Sequence, residues 1–362
     1  RSRDKNLSEY YVFNAGGFDG VYNTLVNGTY SMSINALGTA FKTPKKTGAL
    51  DGDLYDDFKR ARANIASRYS SLSKRQAALQ RDKAEGSSEP DTAVDGYGET
   101  SQQVLIPSFI SAYMGQNTNK VWLDLIPTAK YLRPNWRVTF SGLNNIKALQ
   151  EYVRNIEVSH AYTAKFSLGQ FQTNLDWENV GGGLSIVRDL QGNYIPQYAV
   201  STVTISEQLN PFIQLSATLV NNMTTSFAIN KQRTLALSLA NNQITESYSN
   251  DWNLSLGYRF DNVPLFIGKD EDSKKFNNSL NLTFTLSQRD SYTILRRIEE
   301  QSSELASGTK TTNVKFSADY ALTRRFSMEF YYDQAIARPY VSTSYPTSNV
   351  NVGISFQLSL SE

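Results

Sequence analysis

Apolar and polar side chains alternate one by one along most of this chain, and that period of two constrains its fold more than any other feature. From Asn349 to Ser361 the pattern has no break. Val350, Val352, Ile354, Phe356, Leu358 and Leu360 share one parity, and Asn349, Asn351, Gly353, Ser355, Gln357, Ser359 and Ser361 share the other. Successive side chains of a strand point to opposite faces, so this segment is a strand with one apolar and one polar face. It is also about as long as a membrane-crossing strand, which needs roughly 9–11 residues.

The pattern recurs. Val314, Phe316, Ala318, Tyr320 and Leu322 alternate with Asn313, Lys315, Ser317, Asp319 and Ala321. Phe326, Met328, Phe330 and Tyr332 alternate with Ser327, Glu329, Tyr331 and Asp333. Leu280, Leu282, Phe284 and Leu286 form a third stripe, and Trp252, Leu254, Leu256, Tyr258 and Phe260 a fourth. Weaker versions cover 213–219, 223–229, 235–239, 156–168, 136–140 and 30–36. A transmembrane barrel signals weakly per segment and persuades by repetition. The expected fold is therefore all-β, an antiparallel transmembrane β-barrel wall of about a dozen strands.

Composition is consistent with that expectation. Mean hydropathy is −0.43, and no apolar run approaches the ~18 residues of a spanning helix. The 21 Tyr and 18 Phe can supply aromatic girdles at two membrane interfaces. There is no Cys, which excludes disulfides and thiolate metal sites. With 36 basic and 34 acidic residues, the chain has no footprint for nucleic acid and no polybasic lipid anchor. It opens Arg1-Ser2-Arg3-Asp4-Lys5, without Met or an apolar leader, so either a signal peptide has been removed or a longer polypeptide precedes it.

Two regions are expected, 1–133 and 134–362. The first holds a strand around Tyr30–Ala36, a turn-rich link 43–53 and an amphipathic helix over about 53–83. That helix carries Leu54, Phe58, Ala61, Ile65, Tyr69, Leu72 and Leu79 at three- and four-residue steps, with Lys59, Arg60, Arg62, Arg68, Lys74, Arg75 and Arg81 interspersed. It should pack by its apolar side on a barrel mouth or inside the lumen; a docking surface for a partner or for anionic head groups is the sharper reading. Mixed signs at Asp56, Asp57, Asp82 and Glu85 favour the former. Residues 85–98 are expected to be an exposed loop, 104–114 a buried turn or helix containing Pro107, and 144–152 a second small helix. From 134 onward, tight connections (Asn221-Asn222, Asn230–Arg233, Thr323-Arg324) alternate with long ones (178–194, 262–277, 289–311, 335–348), as in an up-and-down barrel.

Energetics predicts which parity faces lipid, because Lys or Arg at the midplane of a barrel's outer face costs roughly 2–4 kcal/mol. Leu280, Leu282, Phe284, Leu286, Val314, Phe316, Tyr320, Phe326, Met328, Phe330, Val350, Val352, Ile354, Phe356 and Leu358 are expected to face lipid. Arg259, Lys315, Asp319, Glu329, Asp333, Asn351, Ser355 and Gln357 are expected to face the lumen. That lining is small, polar and mixed in sign, which suits a wide wet channel better than an ion filter.

No enzyme, metal or cofactor is expected. His160 is the one histidine, lies on the apolar parity and cannot make a metal site alone; a structural role at a bulge or barrel end is expected. Ser71-Leu72-Ser73-Lys74 and Lys46-Thr47-Gly48 mimic a penicillin-binding pattern in the wrong order. Asp270-Glu271-Asp272 lacks the ligand spacing of a calcium loop. Glu329 and Asp333 lie about 13 Å apart along one strand, too far for joint acid–base work.

Several phrases stand in the order seen in one family. They are Ser101-Gln-Gln-Val-Leu-Ile-Pro-Ser-Phe-Ile-Ser-Ala-Tyr113, Pro134-Asn-Trp-Arg-Val-Thr-Phe-Ser-Gly-Leu143, Ser159-His-Ala-Tyr162, Ser238-Leu-Ala-Asn-Asn-Gln-Ile-Thr-Glu246, Leu256-Gly-Tyr-Arg-Phe260 and Ser342-Thr-Ser-Tyr-Pro-Thr-Ser348. Over essentially its whole length the chain resembles the C-terminal portion of the SprA/Sov family. The resemblance implies the outer-membrane translocon of the type 9 secretion system, a single-chain barrel of about 36 strands. Such a channel passes folded cargo with C-terminal sorting domains to the cell surface, gliding adhesins among them. The implied partners are a PorV-like barrel protein at a lateral opening, a plug protein, the cargo and the lipid bilayer. The strand 349–360 would then pair with a first strand that this chain lacks. The chain departs from many outer-membrane barrels in ending Leu360-Ser361-Glu362, with Phe356 the nearest aromatic. A second reading from the residues alone is a self-contained porin or adhesin barrel of about twelve strands.

Overall fold

A computed structural model describes residues 2–10, 23–44, 50, 53–81, 96–127, 129–177, 187–267, 274–323, 325–341 and 343–359. Outside the described residues lie Lys46-Thr47-Gly48, most of the expected loop 85–98, the Gly181-Gly182-Gly183 run, Asp270-Glu271-Asp272 and Leu360-Ser361-Glu362.

Strands β1 (Ser2–Tyr10), β2 (Asn23–Ser33), β3 (Trp136–Phe140), β4 (Val153–Thr173), β5 (Tyr198–Val200) and β6 (Thr202–Leu219) are followed by β7 (Thr224–Ser238), β8 (Gln243–Ile267), β9 (Lys274–Arg297), β10 (Ser302–Ala321), β11 (Phe326–Pro339) and β12 (Thr347–Leu358). They form one twelve-stranded antiparallel sheet ordered β1-β2-β4-β6-β7-β8-β9-β10-β11-β12, with β3 and β5 each pairing with β4. Neighbours in sequence are neighbours in space. Among the described residues β1 and β12 pair with nothing on their outer sides, and closure of the sheet into a ring is not seen. No described helix is long and apolar enough to cross a membrane.

The tight turns use residues that tolerate a positive φ. Asn222 (φ 66°), Asn242 (φ 48°) and Gln301 (φ 49°) sit between β6 and β7, β7 and β8, and β9 and β10. Asn is suited to this role because its short polar side chain offsets the left-handed penalty.

The strands are longer than their clean alternation: β8 has 25 residues, β9 24 and β4 21. Two expected connections are therefore overturned. Asn230–Arg233 is no turn but the middle of β7. Residues 289–311 are the ends of β9 and β10 around one tight turn. Both stretches resembled loops because they are charged, yet charges in both have partners on a neighbouring strand: Arg233 pairs with Glu207 (2.7 Å) and Arg297 with Glu304 (2.8 Å). Two of the other three long connections shrink, since β8 runs to Ile267, β9 starts at Lys274, β11 runs to Pro339 and β12 starts at Thr347. Strand β1 has no counterpart in the expectations.

The helical region interrupts a single strand line. β2 pairs with β4 through Ser33↔Lys165, and β3 continues on the same side of β4 from Trp136↔Tyr162. The chain leaves the sheet after the Ile34 N–H bond to Ala164 O (3.1 Å). It returns where Asn135 Oδ1 accepts from Ala164 N–H (3.0 Å). The Arg133 N–H bond to Ser33 O (3.2 Å) closes the neck.

Two helices dominate this excursion, α1 (Asp53–Arg81) and α2 (Gln102–Met114). The helix α1 buries Leu54, Tyr55, Phe58, Ala61 and Ile65, a stripe at helical spacing. The Arg62 guanidinium, one of the basic groups interspersed with that stripe, lies over the Phe58 ring (5.5 Å) and is buried. The helix α2 is buried on all sides from Val104 to Met114. It ends in a left-handed Gly115 (φ 67°), with Gln116 N–H bonding back to Ser111 O (2.8 Å), a glycine-capped terminus. The expected helix at 144–152 is a 3₁₀ turn, Gly142–Asn145, followed by the short α3, Lys147–Gln150.

Candidate functional site: a two-zone sheet face

Directly opposed residues of adjacent strands place their side chains on the same face, so register sorts the sheet. The ladders Leu254↔Leu286↔Val314, Leu256↔Phe284↔Phe316, Phe316↔Tyr332↔Val352 and Tyr320↔Met328↔Phe356 run across β8 to β12. Every residue expected to face lipid lies on this apolar face. Every residue expected to face the lumen lies on the other: Arg259 opposes Asn281, Lys315 opposes Asp333, Asp319 opposes Glu329, and Asn351, Ser355 and Gln357 oppose Asp333, Glu329 and Ser327. On that polar face Lys315 and Asp333 form an exposed ion pair (3.1 Å), a contact of small energetic weight.

The apolar face has two zones. At one end of β2, β4 and β6–β9 it is covered by the excursion, which buries Tyr30, Met32, Phe166, Leu168, Val203, Ile205, Leu235, Leu237, Ile244 and Ile294. At the other end, and across most of β10–β12, it is bare. There Val138 and Phe140 are 53% exposed, Phe330 38%, and Val350, Val352, Ile354, Phe356 and Leu358 between 52% and 61%. The exception is Tyr320, expected to face lipid but only 4% exposed, whose hydroxyl donates to Val263 O (2.7 Å). From Trp252 to Phe260 the bare zone spans roughly 26 Å along the strand at ~3.3 Å per residue. The remainder of each long strand carries the helices. The helices thus lie on the apolar face and not on the polar one, so a helix inside a lumen lined by the polar face is overturned.

Two buried arginine–glutamate pairs clamp the excursion to the sheet. Arg233 on β7 meets Glu207 on β6 (Nε–Oε2 2.7 Å), and both side chains are 2–3% exposed. The remaining donors of Arg233 bond Thr39 O (2.7 Å), Thr39 Oγ1 (2.7 Å) and Ala36 O (3.2 Å), where the chain has just left β2. The other oxygen of Glu207 accepts from the Tyr162 hydroxyl (2.6 Å), which in turn accepts from Ala36 N–H (2.8 Å). Arg296 on β9 grips Glu246 on β8 in bidentate fashion (2.6 and 3.1 Å). Its other nitrogen bonds Leu50 O (2.8 Å) ahead of α1, and the ring of Tyr55 stacks over its guanidinium (4.7 Å). Glu246 also accepts from Tyr113 Oη on α2 (2.5 Å) and from Tyr248 Oη (3.2 Å). Burial, reinforced by the Glu246 carboxylate, holds the Tyr113 hydroxyl well above the usual tyrosine range.

None of these four charges stands out as functional when motifs are sought. One signal identifies them: each interrupts an apolar-parity stripe, as in Val203-x-Ile205-x-Glu207-x-Leu209 and Tyr292-x-Ile294-x-Arg296-x-Ile298. A charge on a buried face must be paired, and here the partners come from neighbouring strands.

His160 lies where β4 shifts register against β6 between Ser159 and Thr163, and its Nδ1 is 2.6 Å from Phe212 O. A carbonyl oxygen only accepts, so Nδ1 carries the hydrogen. Ser71 Oγ donates to Ser67 O within α1 (2.8 Å). Among the described residues no group of three or more His, Asp or Glu is placed to hold a metal ion. No protein-family model matches the chain, and no curated protein is significantly similar to it.

Proposed function

We propose that this chain is part of the wall of an outer-membrane protein-conducting channel of the SprA/Sov type. In this reading it serves the type 9 secretion system, and folded cargo with C-terminal sorting domains passes along the polar face. The observation that carries the reading is the bare apolar zone: a wide, uncharged band on one face of a sheet whose two outer strands have no outer partner among the described residues. Exposed to water, such a band costs roughly 25 cal/mol per Å² of apolar surface; against acyl chains the cost vanishes. The nine residues from Trp252 to Phe260 match the roughly 9–11 with which a tilted barrel strand crosses a bilayer.

Strand length supports the same reading. Strands as long as β8 extend far beyond a ~30 Å hydrocarbon core, so part of each must stand in water. That part is the zone covered by α1 and α2, where the apolar parity needs a protein cover because no lipid reaches it. Open edges at β1 and β12 are not tolerated in hydrocarbon, which favours further strands on both sides over a closed barrel of about twelve. A PorV-like partner at a lateral opening, a plug protein and a role in gliding motility belong to the proposal, with no residue here singled out for them.

Depletion of the intact protein from cells tests the reading. Folded cargo should accumulate in the periplasm and disappear from the cell surface. Cargo reaching the surface at the normal rate after depletion would sink the secretion role, and leakage of sugars through liposomes holding this chain alone would instead favour a porin.

A further inference from the structure

The boundary between the two zones is chemically distinct. Register brings Leu209, Lys231, Asn250, Asp290, Lys310 and Arg338 into one row across the apolar face of β6–β11. On the side of the row away from the helices, every apolar-face residue of β8–β11 as far as Phe260, Leu280, Tyr320 and Met328 is uncharged. The row holds three cations and one carboxylate, and that carboxylate, Asp290, accepts from the Tyr340 hydroxyl (2.9 Å). Lys310 and Arg338 directly oppose one another on adjacent strands, both exposed, and neither makes a salt bridge among the described residues. Like charges directly opposed across a sheet are unfavourable, and an anion seated between them removes the repulsion. Lys231 lies over the ring of Phe41, which projects from the edge of the excursion 53% exposed. Trp252 stands one step into the bare zone. Basic side chains with aromatic rings at the rim of an apolar band are the chemistry of a membrane interface, where long cations reach for headgroups while their stems stay on apolar surface.

We infer that this rim, centred on Lys310 and Arg338, binds the phosphate of an anionic membrane lipid whose acyl chains lie on the bare zone below. The inference rests on the proposed lipid contact of that zone and adds the headgroup class. The phosphate accepts from both side chains, Lys231 adds charge at longer range, and Asp290 limits how far anions spread along the row.

The test uses the intact native polypeptide in nanodiscs of mixed phosphatidylcholine and phosphatidylglycerol, with retained lipids measured by mass spectrometry. Phosphatidylglycerol should be enriched around the protein. Lys310→Gln and Arg338→Gln should each weaken its retention roughly five-fold, and the double variant more than either. Lys310→Arg should keep it. Both side chains are exposed, so the heat-modifiable gel mobility of the folded sheet should be unchanged. Equal enrichment in the double variant would overturn the inference, as would complete displacement of phosphatidylglycerol by inorganic phosphate, which would indicate a free-phosphate site. A protein that fails to float with vesicles at all would instead remove the wall reading on which the inference depends.

Discussion

Four charged residues, Glu207, Arg233, Glu246 and Arg296, sit on the apolar parity, and their cost explains their geometry. Removing one partner of a buried pair leaves an uncompensated charge and costs about 3–5 kcal/mol, whereas replacing both with apolar residues is often neutral or better. Arg296→Met is therefore expected to destabilise the helical layer by about that amount, and the Glu246→Leu/Arg296→Met double variant to recover most of the loss. Urea unfolding followed by fluorescence of Trp122, 4% exposed within the layer, would measure both. A double variant as unstable as the single would mean that the backbone bond from Arg296 Nη1 to Leu50 O, and not the charge pair, holds the layer down.

At the scale of elements, the joint between α1, the segment before α2 and the strand side of the layer is a stack of tyrosines. Tyr97 lies between Tyr69 (4.9 Å) and Tyr194 (5.3 Å), and the Tyr69 hydroxyl bonds Leu123 O (2.9 Å). Burial first, and then the neighbouring Tyr194, push the Tyr97 hydroxyl up to about 12. In an unfolded chain a tyrosine ionises near 10. Below pH 10 both states are neutral and the stabilising contribution is fully present. Above it the unfolded state loses protons that the folded state keeps, so stability falls by about 1.4 kcal/mol per pH unit until the folded hydroxyl ionises near 12. Opening of the layer, followed by Trp122 fluorescence in urea, should show this alkaline loss between pH 10 and 12, and Tyr97→Phe should lower its slope by about 1.4 kcal/mol per pH unit, the share of one proton. An unchanged slope in Tyr97→Phe would place the titrating group elsewhere, with Tyr69, also raised by burial, the first alternative.

On the scale of the whole molecule, the two faces of the sheet make opposite predictions at adjacent residues. Ile354, 60% exposed on the apolar face, and Ser355, on the polar face of the same strand, differ by one step. If the bare zone meets lipid, Ile354→Lys should cost about 2–4 kcal/mol in refolding into bilayers, and Ser355→Lys close to nothing. Gel mobility after titration with denaturant in vesicles measures both. Equal costs would mean that both faces see the same medium.

The alternation of apolar and polar residues determined much of this without coordinates. A period of two dictates strand, and its repetition in Trp252–Phe260, Leu280–Leu286, Val314–Leu322 and Asn349–Ser361 determined an antiparallel sheet with one apolar face, because pleat geometry leaves no other outcome. The helical stripe from Leu54 to Tyr69 was legible for the same reason at a period of 3.6. Strand ends were not legible, because Lys231, Arg233, Arg289 and Arg296 resemble loop chemistry until their partners are known. Only tertiary structure decided that β2 and β3 are one interrupted strand line, that α1 and α2 lie on the apolar face, and that this face divides into a covered and a bare zone. These outcomes depend on pairings such as Arg296 with Leu50 and Arg233 with Thr39, between residues far apart in the chain. Local periodicity states which face is apolar; what covers that face is decided by contacts that periodicity does not encode.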